Sequence, residues 1–229
     1  MAADLAKVLA ATPSSGRRSA YAKAVIEDNC LGKATAATRK LSLQRLSELY
    51  GLDPDLHLFR VFRRLWDVQE EGRVLLALLM AIARDPLLAA TVQPIIAMQV
   101  GTELQRGQVR EALMQLTDDR FNPSILDKVV RNTASTWTQS GHLVGRTFKR
   151  RRRVEATAPA AAFALFLAYL TGFRGADLFG SGWFAILDCA PQRARELALD
   201  AKRIGLLDLR IAGEVVELNL DRLDPWVRS

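Results

Sequence analysis

The sequence has few of the residues that build metal sites, disulfide frameworks or acid–base catalysis. Among 229 residues there are two cysteines, Cys30 and Cys189, and two histidines, His57 and His142. Two cysteines far apart in sequence exclude a disulfide framework and favour reduced, buried thiols in the cytosol. A phosphate-binding G-x-x-x-x-G-K-[ST] loop, a G-x-G-x-x-G motif after a strand and an H-E-x-x-H zinc motif are all missing. We therefore predict no enzyme, no catalytic or metal-binding residue, no cofactor and no small-molecule substrate.

Long hydrophobic runs are missing as well. The most apolar stretch, residues 159–172, is shorter than the roughly 20 residues that a membrane-spanning helix needs. Near the N-terminus Asp4 and Lys7 interrupt the apolar residues, which is unlike a signal peptide. We expect the apolar stretch to be a core helix, no membrane contact, and a cytoplasmic protein.

Basic residues outnumber acidic ones by a modest margin. The chain has 32 lysines and arginines against 25 aspartates and glutamates, hence a formal net charge of +7, and 49% of its residues are hydrophobic. Such a chain can bury a sizeable core in one large or two small domains, so general disorder is excluded. The excess of base favours polyanionic partners but does not identify one by itself.

Helix signals occupy the first part of the chain. Thr35 is placed to cap a helix that stops at Gly51, and Asn122 followed by Pro123 opens a helix to about residue 138. Strand-like alternation is absent up to residue 139, so we predict a mainly α fold with a multi-helix bundle over residues 17–145. Residues 1–16 end in a Pro-Ser-Ser-Gly turn and are expected to form a flexible arm.

The last part of the chain has a different pattern. An apolar helix, a short helix and a well-defined helix from residue 191 to 204 precede two alternating segments, residues 206–211 and 214–220. This order predicts a winged-helix-like domain with a small β-hairpin over residues 155–229. Arg195 and Arg203 lie off the apolar stripe of the third helix, where a DNA-reading helix exposes its polar side chains. The alternative is a unit that serves only protein contacts.

The strongest local feature is a run of consecutive cations between these two parts. Arg146 is followed by Lys149, Arg150, Arg151, Arg152 and Arg153, and residues 146–154 are predicted to be a basic junction. Adjacent cations repel one another unless an anion neutralises them. Three interpretations stay open, namely contact with nucleic acid, an exposed linker, or an acidic protein partner. Nearby, Trp137 either stacks on a base or fills the core, and His142 bonds either a phosphate or a backbone carbonyl.

Two further groups of cations lie on predicted helices. They are a solvated face or, together with the run, the lining of one groove. The first group includes the candidate nucleic-acid contacts Arg17, Arg18, Arg39 and Lys40, together with Lys23, Lys33 and Arg45, and the second consists of Arg60, Arg63 and Arg64.

Several segments resemble one known family. They are the stretch FNPSILDKVVRNTASTWTQSGHLVGR from Phe121, the block AFALFLAYLTGFRG after the basic run, NCLGKATAATRK from Asn29 and RIGLLDLRIAG from Arg203. Together they resemble the BrxA family of BREX bacteriophage-defence systems, over nearly the whole chain from about Arg17. None of these segments is a catalytic signature.

The resemblance implies a small, mostly helical, non-enzymatic part of a multi-protein defence system, with partial similarity to the NusB antitermination fold. In that system a separate methyltransferase marks self DNA, so catalysis belongs to partners. The resulting hypothesis is a duplex DNA-binding component that contacts other BREX proteins. The alternatives are an RNA-binding NusB-like module and a protein–protein adaptor of the defence complex.

Overall fold

A computed structural model describes residues 1–118 and 120–224. The described chain is mainly helical, with two small antiparallel sheets. Its helices are α1 (Ala2–Ala11), α2 (Arg18–Ile26), α3 (Ala36–Tyr50), α4 (His57–Trp66), α5 (Arg73–Arg84), α6 (Pro86–Ala90), α7 (Val92–Ile96), α8 (Arg106–Thr117), α9 (Pro123–Gln139), α10 (Ala158–Leu170), α11 (Gly182–Ile186) and α12 (Pro191–Arg203), with a 3-10 helix at Gly175–Gly180. Its strands are β1 (Leu143–Val144), β2 (Arg150–Arg151), β3 (Asp208–Ala212) and β4 (Val215–Asn219).

The predicted helix caps are present. Thr35 accepts a hydrogen bond from the Thr38 amide in a reciprocal capping box, and α3 ends at Gly51 in the left-handed conformation. The Asn122 side chain accepts from the Ile125 amide ahead of Pro123, the first residue of α9. These local signals confirm the mainly α character of the fold.

A single helix fills the centre of the molecule. The side chains of α10 from Pro159 to Ala168 are all buried, because α4 and α5 pack on it from one side and α11 and α12 from another. Phe163 stacks on Phe166 and also contacts Phe62 of α4. The helices before and after the basic run therefore share one core. The expected division into separate domains at residues 17–145 and 155–229 is wrong in this respect, and residues 225–229 lie outside the described part.

The expected flexible arm is also wrong, because most of it is a docked helix. In α1, Leu5, Val8 and Leu9 are buried in the common core. The guanidinium of Arg63, itself buried, donates to the carbonyl oxygens of Leu9 and Thr12 and pairs with Asp67. Arg63 thereby satisfies carbonyl groups that the C-terminal end of α1 leaves unpaired. This role also removes Arg63 from the exposed basic face that the sequence suggested.

The C-terminal hairpin forms as the alternation predicted. Leu209 of β3 faces Leu218 of β4, and the chain turns at Gly213, whose φ is +60°. Beyond β4, Asp224 is buried and accepts hydrogen bonds at 2.8 Å from His57 and 3.0 Å from Arg60, both on α4. The end of the described chain is thus tied back to the first half of the molecule.

No single helix in residues 1–118 or 120–224 is long and apolar enough to cross a membrane, although α10 and the segment Gly175–Ile186, bent by 119°, meet the length and composition test together.

Candidate nucleic-acid interface

Two residues of the basic run, Arg150 and Arg151, form one strand of a small two-stranded sheet. On one side, Val144 and Leu143 of β1 pair with Arg150 and Arg151 of β2. On the other side, the Arg151 amide donates to the Thr102 carbonyl at 2.9 Å, and the Leu104 amide donates to the Lys149 carbonyl at 2.7 Å. The run is therefore held between two neighbouring segments and is not a free junction. We call residues 143–153 the basic hairpin.

The strand places Arg151 inside the protein. Its side chain is 3% exposed, forms an ion pair with Asp188 and donates to the Ile95 carbonyl at 3.1 Å. Asp188 also accepts from the Val154 amide at 2.9 Å. A guanidinium with these partners is not available to a phosphate, so the prediction that Arg151 contacts nucleic acid is corrected. It joins the basic hairpin to the segment after α11.

His142 and Trp137 are buried beneath the basic hairpin. The Trp137 ring is fully buried, and its Nε1 donates to Thr91 at 2.7 Å, so it fills the core. His142 is also fully buried, with its Nε2 2.7 Å from the Ile186 carbonyl oxygen and its Nδ1 2.9 Å from the Ser140 hydroxyl. Burial lowers the pKa of His142 to about 4, so the ring is neutral at pH 7 and its Nε2–H donates. Of the two readings of His142, the carbonyl bond is the observed one.

The remaining arginines of the run face water. Arg146, Arg150, Arg152 and Arg153 are exposed, and within the described residues none of them pairs with a carboxylate. Arg152 is steadied by a hydrogen bond from its Nε to the Gly141 carbonyl at 3.2 Å. Lys149 is half-buried and donates to the Thr138 hydroxyl at 2.7 Å. The basic hairpin therefore presents four exposed arginines that form no ion pair within the described residues, and Glu103 lies opposite Arg150 across the sheet.

An exposed aromatic ring stands among these cations, and the sequence analysis missed it. Phe148 is 68% exposed, more than any other large hydrophobic side chain in the described part of the chain. The turn before it requires glycine, because Gly145 has φ of +111° and a Cβ there would lie 2.1 Å from the Phe148 carbonyl oxygen. A signal was present in the sequence, since Gly145 and Phe148 interrupt an otherwise polar basic segment.

The first basic group borders two adjoining clefts. A cleft of about 580 Å³ is lined by Arg18 and Lys40, and it shares Glu48 and Arg84 with a larger cleft of about 790 Å³ between α3, α5 and α9. The larger cleft has Arg45 and Lys128 on its walls and reaches Ser140. Ser140 precedes Gly141, on which Arg152 rests. The clefts therefore extend from the first basic group towards the basic hairpin.

Two other predicted contacts of this group have different surroundings. Arg39 is half-buried, and its guanidinium donates to the carbonyl groups of Lys33 and Ile26, so it closes the C-terminal end of α2. Arg17 is exposed and precedes the first residue of α2. Of the second group, Arg60 and Arg63 are engaged by Asp224 and α1 respectively. The three groups thus do not all line one groove.

The helix α12, which carries the predicted contacts Arg195 and Arg203, has different main packing partners from the basic hairpin. α12 packs on α10, on the 3-10 helix and on β3, whereas the basic hairpin packs on α9. Arg203 is exposed and pairs with Asp200 of its own helix at 2.9 Å. Arg195 is half-buried with its guanidinium 5.5 Å from the centre of the Phe179 ring. The helix α12 therefore has less available positive charge than its sequence suggests.

No protein-family model, curated protein or solved structure matches this chain. Within residues 1–118 and 120–224, no group of three or more His, Cys, Asp or Glu side chains is arranged to hold a metal ion.

Proposed function

We propose that this protein is a non-catalytic nucleic-acid-binding protein that holds duplex DNA on the basic hairpin. The observation that carries the proposal is the set of four exposed arginines without an ion pair, Arg146, Arg150, Arg152 and Arg153, on the basic hairpin, whose strand β2 is hydrogen-bonded on both sides. Arginine binds phosphate oxygens with two parallel hydrogen bonds. A strand with fixed neighbours presents these groups without first having to become ordered, which reduces the entropy lost on binding.

Two further features support a polyanionic partner. The clefts carry further cations, namely Lys40, Arg45, Lys128 and Arg18, of which Arg18 pairs with Asp53, and Glu48 lines both clefts. The order of α10, α11, α12 and the β3–β4 hairpin is that of a winged helix, so α12 is a second candidate surface for DNA. We rank α12 below the basic hairpin because Arg193 and Arg203 are both paired within the helix.

The resemblance to the BrxA family supports a place in a BREX defence assembly, with catalysis left to partner proteins. This part of the proposal has its own test. Purification of the tagged protein from its native host should recover other components of the defence system. Recovery of the protein without them, with its gene far from any methyltransferase and large ATPase gene, would contradict it.

Duplex binding is tested by fluorescence anisotropy of a labelled 25-base-pair duplex over a salt series. The test variant replaces Arg150, Arg152 and Arg153 by Gln. The matched control replaces Arg110, Arg120 and Arg222 by Gln, which removes the same charge from arginines that lie outside both candidate surfaces and already have acidic partners. Each lost phosphate contact lowers the slope of log K against log salt by about 0.9, so the test variant should lose up to about 2.7.

The alternatives give other outcomes in the same assay. An RNA-binding module competes better with RNA duplexes or single strands than with DNA. An adaptor shows only weak binding that both triple variants reduce equally. The absence of duplex binding by the unaltered protein at 50 mM salt would overturn the proposal.

A further inference from the structure

The ring of Phe148 is exposed, so packing in the core does not explain why a phenylalanine occupies this position. The phenylalanines of the core, such as Phe163 and Phe166, are fully buried, whereas Phe148 is 68% exposed and borders a cleft whose charged side chains are Arg106, Lys149 and Glu103. An apolar ring in this setting is stabilised by an apolar surface that is framed by negative charge. Stacked base pairs between two phosphate backbones are such a surface.

The shape of the basic hairpin favours DNA over a lipid surface, the other apolar surface that anionic groups frame. The large apolar side chains that the basic hairpin exposes are Phe148 and Val144, which is 48% exposed. Two such side chains give little apolar area for membrane attachment, which needs a wide apolar face or a second anchor. Insertion between two base pairs buries both faces of one ring and needs no larger apolar surface.

We infer that Phe148 is a wedge that enters the minor groove and inserts between adjacent base pairs, kinking the duplex. This inference rests on the proposed duplex binding. The minor groove of undistorted duplex is about 6 Å wide, so a single ring at the tip of a two-stranded ribbon enters it more easily than the ribbon itself. The flanking Arg146 and Arg150 then lie where they can contact the phosphates on either side of the groove, and they offset the negative charge that the kink brings together.

The protein holds the tip in position before DNA arrives. Gly145 permits the tight turn that ends at Phe148. The next residue is fixed twice, because the Lys149 carbonyl accepts from the Leu104 amide at 2.7 Å and the Lys149 ammonium donates to Thr138 at 2.7 Å. A fixed wedge can offset the free energy needed to unstack a base step, since little of the binding energy is used to order it.

The wedge is tested with duplexes that carry 2-aminopurine, which brightens when it unstacks, and with donor and acceptor dyes at the two ends. The variants are Phe148→Ala, Phe148→Leu, which keeps an apolar wedge, and Phe173→Ala, a control at another exposed phenylalanine. We expect brightening and closer duplex ends with the unaltered protein, Phe148→Leu and Phe173→Ala. Phe148→Ala should lose both signals and bind about tenfold more weakly.

Sequence context adds a second readout. Pyrimidine–purine steps unstack easily and A-tracts resist it, so the brightening should be larger at a TA step than within an A-tract. If the unaltered protein binds duplex but Phe148→Ala keeps both its affinity and its signals, the wedge is wrong and the proposed function stands. If single strands bind more tightly than the duplex, and do so through Phe148, the ring stacks on unpaired bases and the wedge is again wrong. If anionic vesicles bind and the duplex does not, both proposals fail.

Discussion

The basic hairpin and the unit formed by α12, β3 and β4 are both rich in arginine, but they differ in what surrounds that arginine. In the C-terminal unit, Arg193, Arg203 and Arg210 each have an acidic partner one helical turn or one strand away. In the basic hairpin the exposed arginines form no ion pair among the described residues, although Glu103 lies opposite Arg150 across the sheet, and the one ion-paired arginine, Arg151, is buried. The pairing of cations with acids, more than their number, therefore distinguishes a candidate surface for polyanions from a solvated surface.

The largest effect is expected from removing the buried arginine of the basic hairpin. Arg151→Ala leaves the Asp188 carboxylate without its cation in a nearly buried site, which should lower the free energy of unfolding by about 3–5 kcal/mol. Arg193→Ala, at an exposed pair in the C-terminal unit, should change it by less than about 1 kcal/mol. Urea unfolding followed by circular dichroism measures both. Equal stabilities for the two variants would remove the distinction between the two regions.

The next effect is a loss of stability in acid that originates beneath the basic hairpin. The folded pKa of His142 lies at about 4, below its ordinary value of 6.5, so the unfolded chain takes up the proton first. The contribution of His142 is therefore complete above pH 6.5 and is lost as the pH falls towards 4, by up to about 3 kcal/mol. Urea unfolding between pH 7 and 4 measures this loss. His142→Gln should flatten that part of the profile, and a profile unchanged by this substitution would contradict the assignment.

An effect of similar size is expected in a comparison of the turns of the two hairpins. Gly145→Ala introduces a Cβ into the Phe148 carbonyl oxygen at a φ of +111°, and should cost about 3 kcal/mol while weakening duplex binding. Gly213→Ala, at φ of +60° with open space around it, should cost about 1 kcal/mol and leave binding unchanged. Thermal melting and anisotropy measure the two quantities. Weaker binding by Gly213→Ala would bring the β3–β4 hairpin into the interface.

The smallest effect is expected on α12 itself. Arg203 is exposed and already paired with Asp200, so Arg203→Ala should change stability by less than about 0.5 kcal/mol and duplex affinity by less than twofold. Anisotropy at 100 mM salt gives the affinity, with Arg150→Ala measured beside it. A tenfold loss with Arg203→Ala would make α12 a DNA-reading helix and reverse the ranking of the two regions.

The elements that sequence reasoning predicted well are those determined by their own residues. Thr35, Asn122 and Gly51 act on backbone groups within a few positions, so the helix ends followed from the local sequence. Nothing in the local sequence distinguishes Arg150 from Arg151. Only the pairing of their strand with two other segments places one outside and the other beside Asp188, 37 residues away in the chain.

The two regions predicted incorrectly share this dependence on distant partners. The helix α1 is held in place partly by Arg63, which lies more than 50 residues further along the chain. Nothing in the sequence of residues 1–16 indicates that contact. The change in composition at the basic run predicts a domain boundary there. The composition of the sequence does not indicate that α10 packs against helices on both sides of the run. Phe148 was recognisable from its polar neighbours, but its exposure depends on the turn that Gly145 makes possible.

The central place of α10 affects the order of events during synthesis. The helices α4 and α5 are translated long before α10, and the faces that they will press against it stay open until residues 158–170 have been added. At about 5–20 residues per second, the roughly 70 residues between α5 and the start of α10 take several seconds to make. A ribosome that stalls in this interval releases a chain with an uncovered apolar surface, which chaperones and proteases recognise. Complete translation is thus a condition for the N-terminal helices to become stable.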